Sequence, residues 1–162
     1  MNIVIDTNVF ISALVKNSLT RSIIINSKNN LLFPEFELEE IKKHKLEIIK
    51  KSGLSEKEMN VLISKSPFSL FVGTLGCSEK SLISLTLRLL NYVKIIPTEI
   101  ILPYKSKAKE IIGEIDYDDV IFVATALCFG ACVWTDDKHF KKQNIITSLT
   151  TREMAMSEAS RA

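Results

Sequence analysis

The chain is 162 residues long and 46% hydrophobic, enough to build one domain around a substantial core and too apolar for a disordered polyelectrolyte. Its 21 basic and 19 acidic side chains leave a formal net charge of +2, so the overall charge steers only weakly toward a polyanion and the placement of charges matters more than their sum. The opening MNIVIDTNVF sets an acid within its apolar residues and no basic stretch before them, unlike a secretion signal, and the longest apolar run, Val120 to Trp134, falls short of the ~20 residues that cross a bilayer.

A soluble, cytoplasmic protein with no membrane partner is therefore expected. The cysteines, Cys77, Cys128 and Cys132, are odd in number and form no CxxC pair or zinc-site spacing, so they read as small buried hydrophobes in a reducing compartment.

Punctuation sets the elements. Asn2 to Ile5 is a short β-rich run ending at Asp6, and Leu31 to Phe33 is a second one stopped by Pro34. Between them, Arg21 to Lys28 carries three isoleucines in a predicted helix. Pro34 opens a long amphipathic stretch, with Phe36, Leu38, Ile41, Leu46, Ile48 and Ile49 as its apolar members, closed by Lys50, Lys51 and Gly53. Glu40 lies on its first two turns. A short helix follows from Glu56.

Residues 65–84 then change character, with few charges, and the tripeptide Leu-Ile-Ser brackets them at 62–64 and 82–84. This stretch reads as an insertion in a helical arm within an otherwise single domain of residues 1–162, and its apolar residues suit an oligomer contact equally well.

The second half is more regular. Leu82 to Val93 predicts a helix, Lys94 to Ile96 a brief strand before Pro97, and Tyr104 to Ile112 a helix closed by Gly113. Asp118 is a candidate N-cap for a helix from Asp119 to Phe129, apolar on nearly every face and ended by Gly130, which must be buried. Ala131 to Thr135 is the next strand, Ile145 and Ile146 begin another extended segment, and a C-terminal helix or tail follows. Strands alternating with helices predict an α/β fold: a three-layer α/β/α sandwich around a mostly parallel sheet of four to five strands.

Sites in open parallel sheets form beyond the carboxyl ends of the strands, and Asp6 and Asp137 both stand just past such ends. Asp119, in the first turn of a buried helix, is expected to face the same crevice, and with Glu40 four acids converge. Carboxylates gathered at one point repel one another unless a cation neutralises them. Hard oxygen donors, with no histidine or thiolate partner at ligand spacing, favour Mg2+ or Mn2+ over zinc. Such ions lower the pKa of a bound water and stabilise a leaving oxygen, chemistry suited to phosphodiester hydrolysis.

Four segments carry a family resemblance: Asp6-Thr7-Asn8-Val9, Glu40-Ile41, Asp119-Val120-Ile121-Phe122-Val123-Ala124-Thr125-Ala126, and Trp134-Thr135-Asp136-Asp137-Lys138-His139-Phe140. In order and spacing they resemble the successive acidic motifs of PIN domains, over essentially the whole chain apart from 65–84. The resemblance implies metal-ligand or water-activating roles for Asp6, Glu40, Asp119 and Asp137, with Thr7, Asn8 and Thr135 orienting those carboxylates. It further implies a metal-dependent ribonuclease, similar to the VapC-type toxins of toxin–antitoxin pairs, which form homodimers and are silenced by an antitoxin protein. Each acid has an acidic neighbour. Asp119 is preferred to Asp118 because it starts the VIFVATA helix, Asp137 to Asp136 because it stands two after Thr135, and Glu40 to Glu39 because it precedes Ile41.

Bland roles compete with each assignment. A lone aspartate after a strand is usually a turn former, and Glu39 or Glu40 compensates a helix dipole equally well. Lys43 and its neighbours Lys42 and Lys45, and Lys138 with Lys141 and Lys142, suit the flanking phosphates of RNA, whereas Lys105, Lys107 and Lys109 read as a solvated helix face. His44 and His139 read as surface histidines and Trp134 as core. Two rival classes are a phosphoacceptor domain, disfavoured because Asn8 stands where a second acid is needed, and a catalytically inactive PIN fold that binds RNA or protein.

Overall fold

The computed structural model describes residues 1–14, 19–38, 89 and 91–160. The expected helix bearing Glu40 and Lys43, the helix from Glu56, Cys77 and the proposed insertion at 65–84 lie outside the described residues.

Apolar residues run consecutively through the strands because both faces of each must be covered, as parallel sheets with helical crossovers require. Strands β1 (Asn2–Ile5), β2 (Asn30–Pro34), β3 (Val93–Ile96), β4 (Cys132–Trp134) and β5 (Ser148–Leu149) form one sheet in the order β3-β2-β1-β4-β5. Every pairing is parallel, with Val4 opposite Leu32 on one side and Val133 on the other. On one face, Ile3, Ile5, Phe33 and Trp134 pack with residues of α1 (Thr7–Leu14), α2 (Leu19–Asn26) and α6 (Thr151–Ala159). On the other, Val4, Leu32 and Val133 meet α3 (Thr98–Ile101), α4 (Lys105–Ile112) and α5 (Val120–Phe129). The three-layer sandwich expected from the sequence is thus present, with five strands.

Local chemistry explains where element boundaries differ from expectation. Helix α1 was not expected, since TNVFISAL carries no charge to mark a polar face, yet Val9, Phe10 and Ala13 seat it on the sheet. The last strand begins at Ser148 rather than Ile145 because Gln143 occupies the intervening backbone: its Oε1 accepts the amides of Ile145 and Ile146, and its Nε2 donates to the carbonyls of Phe140 and Ile146. Val93 belongs to β3 instead of the preceding helix, because it pairs with Leu31. Helix α5 starts at Val120, and neither Asp118 nor Asp119 caps it with a side chain. Cys128 and Cys132 are half-buried free thiols and not fully buried ones.

Helix α5 ends at Gly130, whose φ of 56° and ψ of 45° place it in the left-handed region, while the Ala131 amide donates to the Ala126 carbonyl. A Cβ at this glycine would meet nothing within 4 Å. Gly130→Ala is therefore expected to cost about 1 kcal/mol from backbone conformation alone, seen as a lower urea midpoint with an unchanged slope. An unchanged midpoint would show that this turn relaxes.

Candidate active site

The sheet order reverses direction at its centre. From β1 the chain proceeds outward to β2 and β3, and then returns to the far side of β1 for β4 and β5. A crevice opens beyond the carboxyl ends of two strands where such crossovers diverge, and here the two strands are β1 and β4. The residues that follow them are Asp6 and Thr135 to Asp137. A cleft at this point is lined by Asp6, Thr7, Asn8, Asp116, Asp118, Asp119, Phe122 and Asp137.

Asp6 is the best-anchored acid. Its backbone amide extends the sheet by donating to the Trp134 carbonyl at 3.0 Å, and its own carbonyl accepts the Phe10 amide to start α1. The carboxylate is held at both oxygens, Oδ1 accepting the Asn8 amide at 3.0 Å and Oδ2 the Thr135 hydroxyl at 2.5 Å. Thr135 Oγ1 in turn accepts the Asp137 amide at 3.0 Å. One threonine thus fixes the acid after β1 and the backbone of the acid after β4. Asp137 Oδ1 accepts the His139 amide at 2.7 Å, which turns the chain away from the cleft.

Asp119 arrives from the opposite face, at the head of α5, a helix anchored by buried Val120 and Phe122 to Ala126. Its Oδ2 is buried and has no hydrogen-bond partner among the described residues. Burial, followed by the charges of Asp6, Asp116, Asp137 and Asp118, pushes its carboxyl up from 3.8 to about 7. An orphaned buried carboxylate oxygen is costly, and a cation is the partner that removes both the desolvation and the repulsion. Carboxylate oxygens of Asp116 and Asp137 and a ring nitrogen of His139 lie within 4.8 Å of one another. The donor set fits a divalent ion of the magnesium class, oxygen-rich with one exposed imidazole at the rim.

The structure brings Asp6, Asp119 and Asp137 together with Thr7 and Asn8 as cleft lining, while Lys138 is exposed beside it. Glu40 and Lys43 lie outside the described residues. Several details differ from expectation. Asn8 reaches Asp6 through its backbone amide and not its side chain. The Thr7 hydroxyl donates to Glu37 at 2.8 Å and not to a cleft carboxylate. His139 is exposed, as a surface histidine is, but it also stands with Nδ1 3.6 Å from Asp137 Oδ1. The Asp136–Asp137 doublet is divided: Asp136 turns outward, where it accepts the Thr151 amide and hydroxyl at 2.8 and 2.6 Å and holds the start of α6.

Two acids escaped the sequence reading. Asp116 lines the cleft, and its Oδ1 accepts the Asp118 amide at 3.0 Å. Its spacing of three residues before Asp119 was the available signal. Glu37, in a 3-10 turn directly after β2, is buried against Thr7. Nothing in the sequence separates it from the other acids of the long amphipathic stretch that Pro34 opens, whose expected site residue is Glu40.

Two consequences are measurable. A carboxyl whose folded pKa lies above its unfolded value favours the protonated fold, so this contribution is complete below about pH 4 and is lost as pH rises toward 7. In EDTA, the wild type is expected to lose stability relative to Asp119→Asn across that window, and Mn2+ to restore it more at pH 8 than at pH 5; parallel pH profiles for the two proteins would remove the assignment. Glu37→Ala strands a buried hydroxyl and is expected to cost about 1–3 kcal/mol in denaturant titration, while Glu37→Gln, which keeps an acceptor, costs less. Equal losses would mean that Thr7 is not the partner that matters.

Comparison with known proteins agrees with this geometry. A chain of VapBC2 from Rickettsia felis, whose crystal structure was solved bound to a DNA fragment from their promoter, superposes with a TM-score of 0.59 over 93% of this chain and 98% of that one, at 14% identity. Likeness at that identity speaks for the fold. No curated protein sequence matches the chain. The family described as PIN domain matches residues 4–159, nearly the full length, and on that match the chain belongs to the PIN domain family.

Proposed function

We propose that this protein is a metal-dependent ribonuclease, the toxin of a toxin–antitoxin pair, which hydrolyses RNA phosphodiester bonds in the cleft beyond β1 and β4. The observation that carries the reading is the buried, unpartnered Asp119 Oδ2 facing Asp6, Asp116, Asp118 and Asp137. Membership of the PIN domain family supports a nuclease.

On this reading Asp6, Asp119 and Asp137 hold Mg2+ or Mn2+, with Asp116 beside them and Glu40 assigned to the same set by the motif resemblance. Bound there, the cation activates water for attack and stabilises charge on the leaving oxygen. The chain's own residues do the rest. Thr135 fixes the direction of Asp6 and the backbone of Asp137, and Asp6 keeps its orientation because both its oxygens are committed. Lys138, and Lys43 by the same logic, pair with phosphates on either side of the bond that breaks.

An antitoxin that fills the acidic crevice and a homodimeric state complete the proposal. They rest on the resemblance to VapC-type toxins, and a structurally similar chain comes from a VapBC2 complex.

The test is cleavage of a labelled RNA by the purified chain with Mg2+ or Mn2+, with and without EDTA. Cleavage is expected only with metal, to vanish in Asp6→Asn and Asp119→Asn, and to fall by about 10–100-fold in Thr135→Val, which loses the bond that orients Asp6. Binding of RNA without metal-dependent cleavage would point to an inactive module instead, and undiminished rates in both aspartate variants would remove the site.

A further inference from the structure

The turn between α4 and α5 carries an aromatic ring that neither core nor cleft absorbs. Tyr117 lies between Asp116 and Asp118, both of which line the cleft, yet its own side chain is 57% exposed. The turn is pinned: the Asp118 amide donates to Asp116 Oδ1 at 3.0 Å, and the Tyr117 carbonyl accepts the Val120 amide at 3.3 Å. The ring is therefore presented from a fixed backbone next to the acids.

A single exposed tyrosine is ordinary on a protein surface. This one has a cation over it, since Lys109 Nζ on α4 stands 5.7 Å from the ring centroid. An exposed ring with an ammonium over one face matches the two halves of a nucleotide: the other face stacks a base of any identity, and the ammonium meets a phosphate.

We infer that Tyr117 and Lys109 form a nucleobase-stacking subsite that receives an unpaired base of the RNA whose backbone crosses the cleft. This rests on the ribonuclease reading and narrows its substrate. Bases inside a duplex are covered on both faces by their neighbours, whereas loops and single strands offer a free face. Stacking at Tyr117 therefore needs an unpaired base and depends little on which base it is.

The experiment separates this inference from the reading beneath it. Wild-type and Asp6→Asn proteins are first compared for Mn2+-dependent cleavage of a single-stranded oligoribonucleotide; absence of cleavage in the wild type counts against the ribonuclease reading. Tyr117→Ala, Tyr117→Phe and Tyr117→Trp are then compared on the same strand and on its duplex. Tyr117→Ala is expected to raise KM for the single strand about 5- to 100-fold with kcat little changed, while Phe and Trp retain the wild-type KM. Binding is also followed by fluorescence anisotropy in the Asp6→Asn background, using a normal strand and an abasic strand of equal length. There, adding Tyr117→Ala should weaken the normal strand only. Equal effects on both strands, or a Tyr117→Ala protein with wild-type KM, would overturn the stacking subsite even where cleavage is intact.

Discussion

Mutual repulsion of carboxylates is the constraint around which this molecule is arranged. Asp6, Asp116, Asp118, Asp119 and Asp137 line one cleft, and in water such groups would drift apart. Here the fold leaves them little freedom. Asp6 is committed at both oxygens, Asp116 is tied into its own turn, and Asp137 is tied to the following residues. Asp119 is brought in on a buried helix with one oxygen unanswered among the described residues, and burial first, then the charges of its neighbours, pushes its carboxyl up to about 7. Restraining three of the five acids and leaving Asp119 with the penalty gives the cluster a defined geometry with one strong demand for a counter-charge.

The parallel sheet supplies that geometry through its topology. Because β1 is central and its neighbours are β2 and β4, three successive strand ends open at one edge, and each is braced to the next. Thr135 ties the end of β4 to Asp6 at the end of β1, and Glu37 ties the end of β2 to Thr7 one residue further on. Outside this group, Asp136 and Trp134 share Thr151, whose hydroxyl donates to the acid and accepts the indole N–H at 3.1 Å, locking α6 against β4. The Thr135–Asp6 and Thr7–Glu37 bonds are short and buried, so they resist the loosening that would let like charges separate.

The sequence reading succeeded where a residue's role is set by its own neighbours in the chain. Runs such as NIVI and ACVW mark strands that are covered on both faces, and Gly130 marks a helix end. It failed where the role depends on something distant. Gln143 is a local exception, displacing a strand through four bonds to residues within three positions of itself that no propensity scale contains. Glu37 is one charge in a charged segment until Thr7 is placed opposite it. The choice between Asp136 and Asp137 rested on spacing from Thr135, while the physical difference between them is that Thr151 takes up the first. Spacing within a motif is local information, whereas the partner that consumes a side chain is not.

The same charge arithmetic bears on how such a cleft meets RNA. A crevice lined by five aspartates repels phosphate, and the formal net charge of +2 offers little to offset it at short range. Among the described residues the cations near it stand at the rim: Lys138 is exposed beside Asp137, Lys141 is partly engaged with Glu153 at 3.8 Å, and Lys109 lies over Tyr117. On the proposed function, affinity for the polyanion cannot come from the floor of the cleft until divalent charge is bound there. Before that, the attraction that the described residues offer the strand comes from the rim. A divalent cation bound there would convert a repulsive surface into an attractive one, and the protein's contribution is to hold five acids together with Asp119 Oδ2 buried and without a hydrogen-bond partner among the described residues.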